Sequence, residues 1–285
     1  RHKLPVDAVL CGNGAADLIF RLVLAVRPKR ALVTAPAFAE YEQALGLSDC
    51  RTEHFYLREE NGFVVAEEIL EAITPALDVV FLCEPNNPTG RTTPPALLLR
   101  ILERCTACGV LLVVGECFND FLDEPQAHTL EPQLAANENL LILKAFTKWY
   151  AMAGLRLGYA LGAPRLLEAM RACGQPWAVS GPAQAAGLAA LEEKAYSRRL
   201  HSLICTERPR LSAGLSALGC RVVPGEANYL LFFHADGSLA EKLRERGILL
   251  RTCGNYRGLS AGWYRAAVRT KEENDAFLQA LREVL

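Results

Sequence analysis

Short, unbroken apolar runs alternate with longer amphipathic stretches over the first two-thirds of the chain. The runs fall at 8–11, 31–34, 79–83, 110–114, 140–143 and 157–161, and helical periodicity appears at 15–25, 66–73 and 95–107. Apolar runs without a polar alternate read as strands covered on both faces, so a mostly parallel sheet packed between helices is predicted. Ligands of such sheets bind beyond the carboxyl ends of the strands. The Gly-, Pro- and polar-rich segments 12–14, 34–36, 84–90, 116–120 and 147–148 sit at those ends.

The pattern changes near Ser180. A helical stretch reaches Leu218 with a break expected near Lys194, followed by strands at 221–223, 229–233, 248–251 and 263–269 and a helix at 239–246. The last helix starts at Thr270, with Glu273 completing a capping box, and is expected to bury Phe277, Leu278, Leu281 and Leu285. The expected division is a large α/β domain over 1–195 and a smaller α+β domain over 196–285.

Composition narrows the function classes. A chain of 285 residues with a net charge of −1 favours neither nucleic acid nor a membrane surface as partner, and no apolar stretch is long enough to span a bilayer. The first residues, Arg1-His2-Lys3, lack an initiator Met, which reads as a truncated or processed chain, and no signal-peptide pattern is seen. Ten cysteines are scattered, several in apolar runs. The one Cys-x-x-Cys pair, Cys105 and Cys108, has no second pair or histidines beside it, so no metal site is expected and a reducing, cytoplasmic compartment is inferred.

The chemistry gathers around Lys144-Ala145-Phe146-Thr147-Lys148, with Arg156 eight residues beyond Lys148. A lysine at the end of a buried strand can be desolvated into a neutral, nucleophilic amine. A hydroxyl and a guanidinium nearby suit a phosphate, and the three together suit pyridoxal phosphate. The turn Gly12-Asn13-Gly14-Ala15-Ala16-Asp17 opens a helix whose free N–H groups can hold phosphate. In Glu84-Pro85-Asn86-Asn87-Pro88-Thr89-Gly90, prolines and a glycine shape an irregular loop that aims an Asn amide at the mouth of the sheet.

Asn-Asn-Pro-Thr-Gly, Thr-Lys with Gly-Leu-Arg-x-Gly-Tyr, and the Gly-Asn-Gly turn together resemble the fold-type I pyridoxal-phosphate enzymes, in particular the histidinol-phosphate aminotransferase-like group. The segments 36–41, 227–231, 251–259 and 264–269 are most similar to threonine-phosphate decarboxylases of cobalamin synthesis. The resemblance spans the chain, apart from an N-terminal arm that helps cover the family's site and has no counterpart. It implies a large, mostly parallel seven-stranded sheet domain with a smaller α+β domain, a homodimer, and pyridoxal 5'-phosphate as cofactor. It assigns Lys148 as the catalytic lysine that binds the cofactor's aldehyde and later moves protons. Asn87 would bond the ring hydroxyl and face the substrate, and Phe38 would stack on the ring. Ala15, Ala16, Thr147 and Arg156 would hold the cofactor phosphate, while Ala145 replaces a Ser or Thr common in relatives. Arg265 would grip the substrate carboxylate, and Arg251 its phosphate or the same carboxylate.

One position departs from the family pattern. An acidic residue that partners the pyridine nitrogen aligns with Gly115. Glu116 is adjacent but should point to the opposite face, and Asp120 lies further along the loop. Loss of that ion pair is expected to cost roughly 3 kcal/mol. The implied activity is decarboxylation of L-threonine O-3-phosphate, a small phosphorylated amino acid. Alternatives are a histidinol-phosphate-type aminotransferase and a non-catalytic homologue that keeps the fold. A Rossmann enzyme would need Gly-x-Gly-x-x-Gly in the first turn, which is absent.

Overall fold

The computed structural model describes residues 2–285. Seven strands form the large sheet: β1 (Val9–Asn13), β2 (Arg30–Ala35), β3 (Arg51–Tyr56), β4 (Val79–Cys83), β5 (Leu111–Gly115), β6 (Leu140–Ala145) and β7 (Leu157–Gly162). Their order is β1-β7-β6-β5-β4-β2-β3. β7 runs antiparallel to both neighbours, and the run from β6 to β3 is parallel. β3 was not anticipated. It is the edge strand beyond β2 and reads Arg-Thr-Glu-His-Phe-Tyr, with every residue exposed or half-buried, so it carries no apolar run.

Period-two alternation sorts the sheet residues between two cores. Val80, Leu82, Leu112, Val114, Leu140 and Ile142 pack on one face. Val79, Phe81, Leu111, Val113, Leu141 and Leu143 pack on the other, against Leu18, Ile19, Leu22 and Val23 of the helix Gly14–Val26. Those four recur at helical spacing, and burying each such side chain contributes about 1.5–3 kcal/mol. Continuing the alternation sends Gly115 to the second face, with Leu111 and Val113. Glu116 goes to the first.

A second, antiparallel sheet of β8 (Arg221–Val222), β9 (Tyr229–Phe233), β10 (Arg251–Thr252) and β11 (Trp263–Ala267) has the order β10-β11-β9-β8. The helices Lys194–Ala217, Leu239–Glu245 and Lys271–Val284 supply its core with Leu211, Leu215, Leu243, Phe277 and Leu281. The break expected near Lys194 falls between Gly181–Glu192 and Lys194–Ala217, and both bonds of the Thr270/Glu273 capping box are present. Three expectations are corrected. The helix at 66–73 shrinks to Ile69–Ala72. Residues 248–250 are not strand, and Leu249 stands 83% exposed, so apolar character there does not mark a sheet position. Leu285 follows the last helix and is exposed, one residue too far to reach the core that takes Leu281.

Candidate active site

A cavity of about 540 Å³ opens at the carboxyl ends of the large sheet's parallel strands and is roofed by residues of β10 and β11. Ala15, Ala16, Phe38, Asn87, Thr147, Lys148, Arg156, Arg251 and Arg265 all line it. The nine residues given a cofactor or substrate role are therefore in one place.

One end of the cavity suits a phosphate. The helix Gly14–Val26 starts there with Gly14 at φ +82°, leaving its first N–H groups without helical partners. A Cβ on Gly14 would come 2.8 Å from Arg156 Nη2, so the guanidinium lies over the helix start. β7 approaches as closely from the other side: a Cβ on Gly158 would lie 2.4 Å from the Ala15 nitrogen. Glycine at both positions makes this cradle possible. With Thr147 on the rim, a positive helix end, a guanidinium and a hydroxyl match a phosphate.

The two lysines of the 144–148 segment have opposite fates. Lys144 follows Leu140 and Ile142 on the first face of β6, where its Nζ lies 2.8 Å from Glu116 Oε2, with both side chains buried. Glu116 also accepts from the Thr129 hydroxyl and the Leu130 N–H. Lys148 lies past the strand in the single turn Phe146–Trp149 and faces the cavity. Its Nζ has no hydrogen-bond or ion-pair partner among the described residues and sits 5.8 Å from the centre of the Phe118 ring. Desolvation by the surrounding protein, then the charges of Arg265 and Arg156, hold its pKa below the ordinary lysine value. A free amine with a lowered pKa is suited to attack an aldehyde.

The adjacent asparagines divide the loop's work. Asn86 is structural: its Nδ2 donates to the Pro36 carbonyl at 3.0 Å and to Thr89 Oγ1 at 2.9 Å, and its own carbonyl accepts from Tyr229 Oη. Asn87 Oδ1 accepts from Arg265 Nη1, which leaves the Asn87 amide N–H groups for a ligand. Arg265 lies 5.0 Å from the Tyr229 ring centre, and Arg251 5.8 Å from that of Tyr256. Phe38 presents a ring to the cavity, with Tyr41 edge-on to it at 5.7 Å.

Tested against pyridoxal phosphate, the phosphate cradle, the free amine and the Asn87 amide fit. The corner at Gly115 differs from the family pattern, since Glu116 is committed to Lys144 on the far face and Asp120 does not line the cavity. Glu40, Tyr41, Cys83, Cys117, Asn255 and Tyr256 line it without having been singled out. Glu40 and Tyr41 end the motif Pro36-Ala37-Phe38-Ala39-Glu40-Tyr41, and Asn255 and Tyr256 lie in the segment 251–259, so the signal was proximity within matched motifs. Among the described residues, the one group with three metal-ligand side chains is Asp123, His201 and Cys205. None of these lines the cavity, and Asp123 is engaged by Arg208.

A seven-stranded sheet with one antiparallel strand, a lysine just past β6 facing a helix start, and a small antiparallel sheet over the cleft defines the fold-type I pyridoxal-phosphate enzymes. Pyridoxal 5'-phosphate is the cofactor of that class. The family description "Aminotransferase class I and II" matches residues 1–281, and the chain belongs to that family. It is 39% identical to the threonine-phosphate decarboxylase of Salmonella typhimurium, over all of this chain and 79% of that protein. It is 34% identical to the histidinol-phosphate aminotransferase of Symbiobacterium thermophilum, over 99% of this chain and 78% of that one. The crystal structure of the histidinol-phosphate aminotransferase from Clostridium acetobutylicum superposes with a TM-score of 0.92 at 26% identity, covering 99% of this chain and 85% of that one.

Proposed function

We propose that this chain is a pyridoxal-phosphate-dependent lyase that converts L-threonine O-3-phosphate to (R)-1-aminopropan-2-yl phosphate and carbon dioxide, a step of cobalamin synthesis. The observation that carries the reading is the pair Arg251 and Arg265, two guanidinium groups in register on β10 and β11 over the cavity that holds Lys148. A substrate with both a carboxylate and a phosphate supplies the charge that such a pair lacks. The similarity to the Salmonella typhimurium decarboxylase supports the same choice.

In this reading each group has a task. The helix start at Ala15 and Ala16, with Thr147 and Arg156, binds the cofactor phosphate, and Phe38 covers the ring. Pyridoxal phosphate, when bound, supplies an aldehyde for the substrate amine and a ring that takes up the electron pair left as carbon dioxide departs. Arg265 and Arg251 hold the substrate carboxylate and phosphate. Lys148 Nζ, as a neutral amine, would hold the cofactor's aldehyde and would deliver the proton taken up at the substrate's α-carbon. One proton is consumed for each carbon dioxide released. The reading further carries a division at 195/196 and a cytoplasmic homodimer, which sedimentation would test.

A second reading, an aminotransferase acting on histidinol phosphate, is favoured by the Symbiobacterium relative. Supplying each substrate separately decides between them. Carbon dioxide and aminopropanol phosphate from threonine phosphate support the lyase; a keto product from histidinol phosphate with 2-oxoglutarate overturns it. Bound cofactor without turnover of either substrate would favour the non-catalytic homologue.

A further inference from the structure

The corner of the cavity at Gly115 is filled rather than vacant. Gly115 ends β5 on the cavity face, and a Cβ placed on it would lie 2.1 Å from Tyr41 Oη. The phenol oxygen thus occupies the space where any side chain at 115 would begin. It is not a loosely placed group. Tyr41 is 2% exposed, and its ring stacks on Phe81 at 4.8 Å between centres. The neighbouring Cys83 thiol directs its own proton to the Pro85 carbonyl at 3.5 Å.

We infer that Tyr41 is the hydrogen-bond donor to the ring nitrogen of bound pyridoxal phosphate in this chain, where Gly115 supplies no carboxylate. The inference rests on the reading that this cavity holds that cofactor. A thiol sulfur is a weak acceptor and a pyridine nitrogen a stronger one, so the ring satisfies the hydroxyl better than the nearby Cys83 could. The other lining groups nearby are poorer partners. Burial pushes the Cys83 and Cys117 thiols up to about 12, so neither supplies an anion. Glu40, the one acidic side chain among the lining residues, is set on the first turn of the helix Glu40–Leu45.

The chemical consequence separates a phenol from a carboxylate. The phenol's pKa stands well above its ordinary value through burial, and it carries no charge to stabilise a protonated ring. The ring nitrogen is therefore hydrogen-bonded but unprotonated, and the ring withdraws electrons less strongly. The same contact alters what Gly115→Asp would do. Gly115 does not have a positive φ, so its backbone accepts a side chain, but the new carboxylate must displace the Tyr41 hydroxyl. Tyr41→Phe removes that oxygen and leaves the ring carbon 3.4 Å from the new Cβ, an ordinary contact.

The test is nitrogen NMR of the protein loaded with pyridoxal phosphate labelled at the ring nitrogen, with cofactor affinity measured beside it. The wild-type resonance should fall between free-base and protonated pyridine standards. Tyr41→Phe should move it to the free-base position and weaken cofactor binding roughly fivefold, the effect of one neutral hydrogen bond. Tyr41→Phe/Gly115→Asp should move it to the protonated position. A protonated ring in the wild type, or a resonance unchanged by Tyr41→Phe in folded protein, overturns the inference. So does a resonance that responds to Glu40→Gln and not to Tyr41→Phe. Wild-type protein that neither retains the cofactor on gel filtration nor is labelled by borohydride overturns the cofactor reading as well. Retained cofactor with an unresponsive resonance overturns this inference alone.

Discussion

Arg251 and Arg265 stand directly opposite each other across the antiparallel pair β10 and β11, so two like charges share one face of the small sheet. Opposed like charges weaken a strand pair by roughly 0.2–1 kcal/mol, a cost that an anion held between them would offset. Arg251→Met should therefore leave the ligand-free protein as stable as wild type or slightly more so. It should raise KM for threonine phosphate about a hundredfold and leave cofactor affinity unchanged. Inorganic phosphate should raise the wild-type Tm more than that of the variant. Equal shifts would show that the arginines do not act as an anion site.

Lys148 and Arg265 are coupled through charge. Arg265 helps hold the Lys148 pKa below the ordinary lysine value, because a nearby cation disfavours the ammonium form. Capture of the cofactor aldehyde needs the neutral amine, so its rate should rise with pH through that lowered pKa. Arg265→Met removes a cation, raises the pKa, and should move the rise to higher pH. A profile that stays in place or moves to lower pH would contradict this coupling. Stopped-flow absorbance with pyridoxal phosphate across pH reads it directly.

The Lys144–Glu116 ion pair makes a contrasting prediction. Lys144→Met leaves Glu116 buried without its cation, and stability should fall by about 3–5 kcal/mol in chemical denaturation. Lys144→Met/Glu116→Gln should regain most of that loss. In every folded variant, borohydride reduction with cofactor should label Lys148. A label on Lys144 in the wild type would overturn the assignment.

How far the fold was legible depended on burial. β4 is buried at every residue and appears as an uninterrupted apolar run, whereas the edge strand β3 is half polar and gave no such signal. The nine residues that share the cavity could be named because Lys148, Thr147, Arg156 and Asn87 lie in motifs with a chemical reason for their residue types, and the others in segments that resemble the family. Their opposition was less visible. The 251/265 register follows from strand pairing across an intervening loop, and Tyr41 meets Gly115 only because β2 and β5 flank β4 and the helix Glu40–Leu45 follows β2. An absent side chain leaves no trace in a sequence of what fills its space.

Glu84 closes β4 and opens the loop that carries Asn87. It is 1% exposed, and its Oε1 accepts from the Thr93 N–H at 2.8 Å, with no ion-pair partner among the described residues. Burial pushes its pKa up to about 8 from 4.5, with Glu116 and Glu226 adding to the rise and the Thr93 bonds opposing it. Between those two values the unfolded chain has released this proton while the folded chain keeps it. The folded state then binds more protons, and this carboxyl's contribution to stability falls as pH rises from 4.5 towards 8. Glu84→Gln keeps an oxygen for the Thr93 N–H and cannot ionise. Its stability relative to wild type should therefore be greater at pH 8 than at pH 5, by about 3 kcal/mol in urea denaturation. A difference that is flat with pH, or that shrinks as pH rises, would show that Glu84 is ionised in the folded protein.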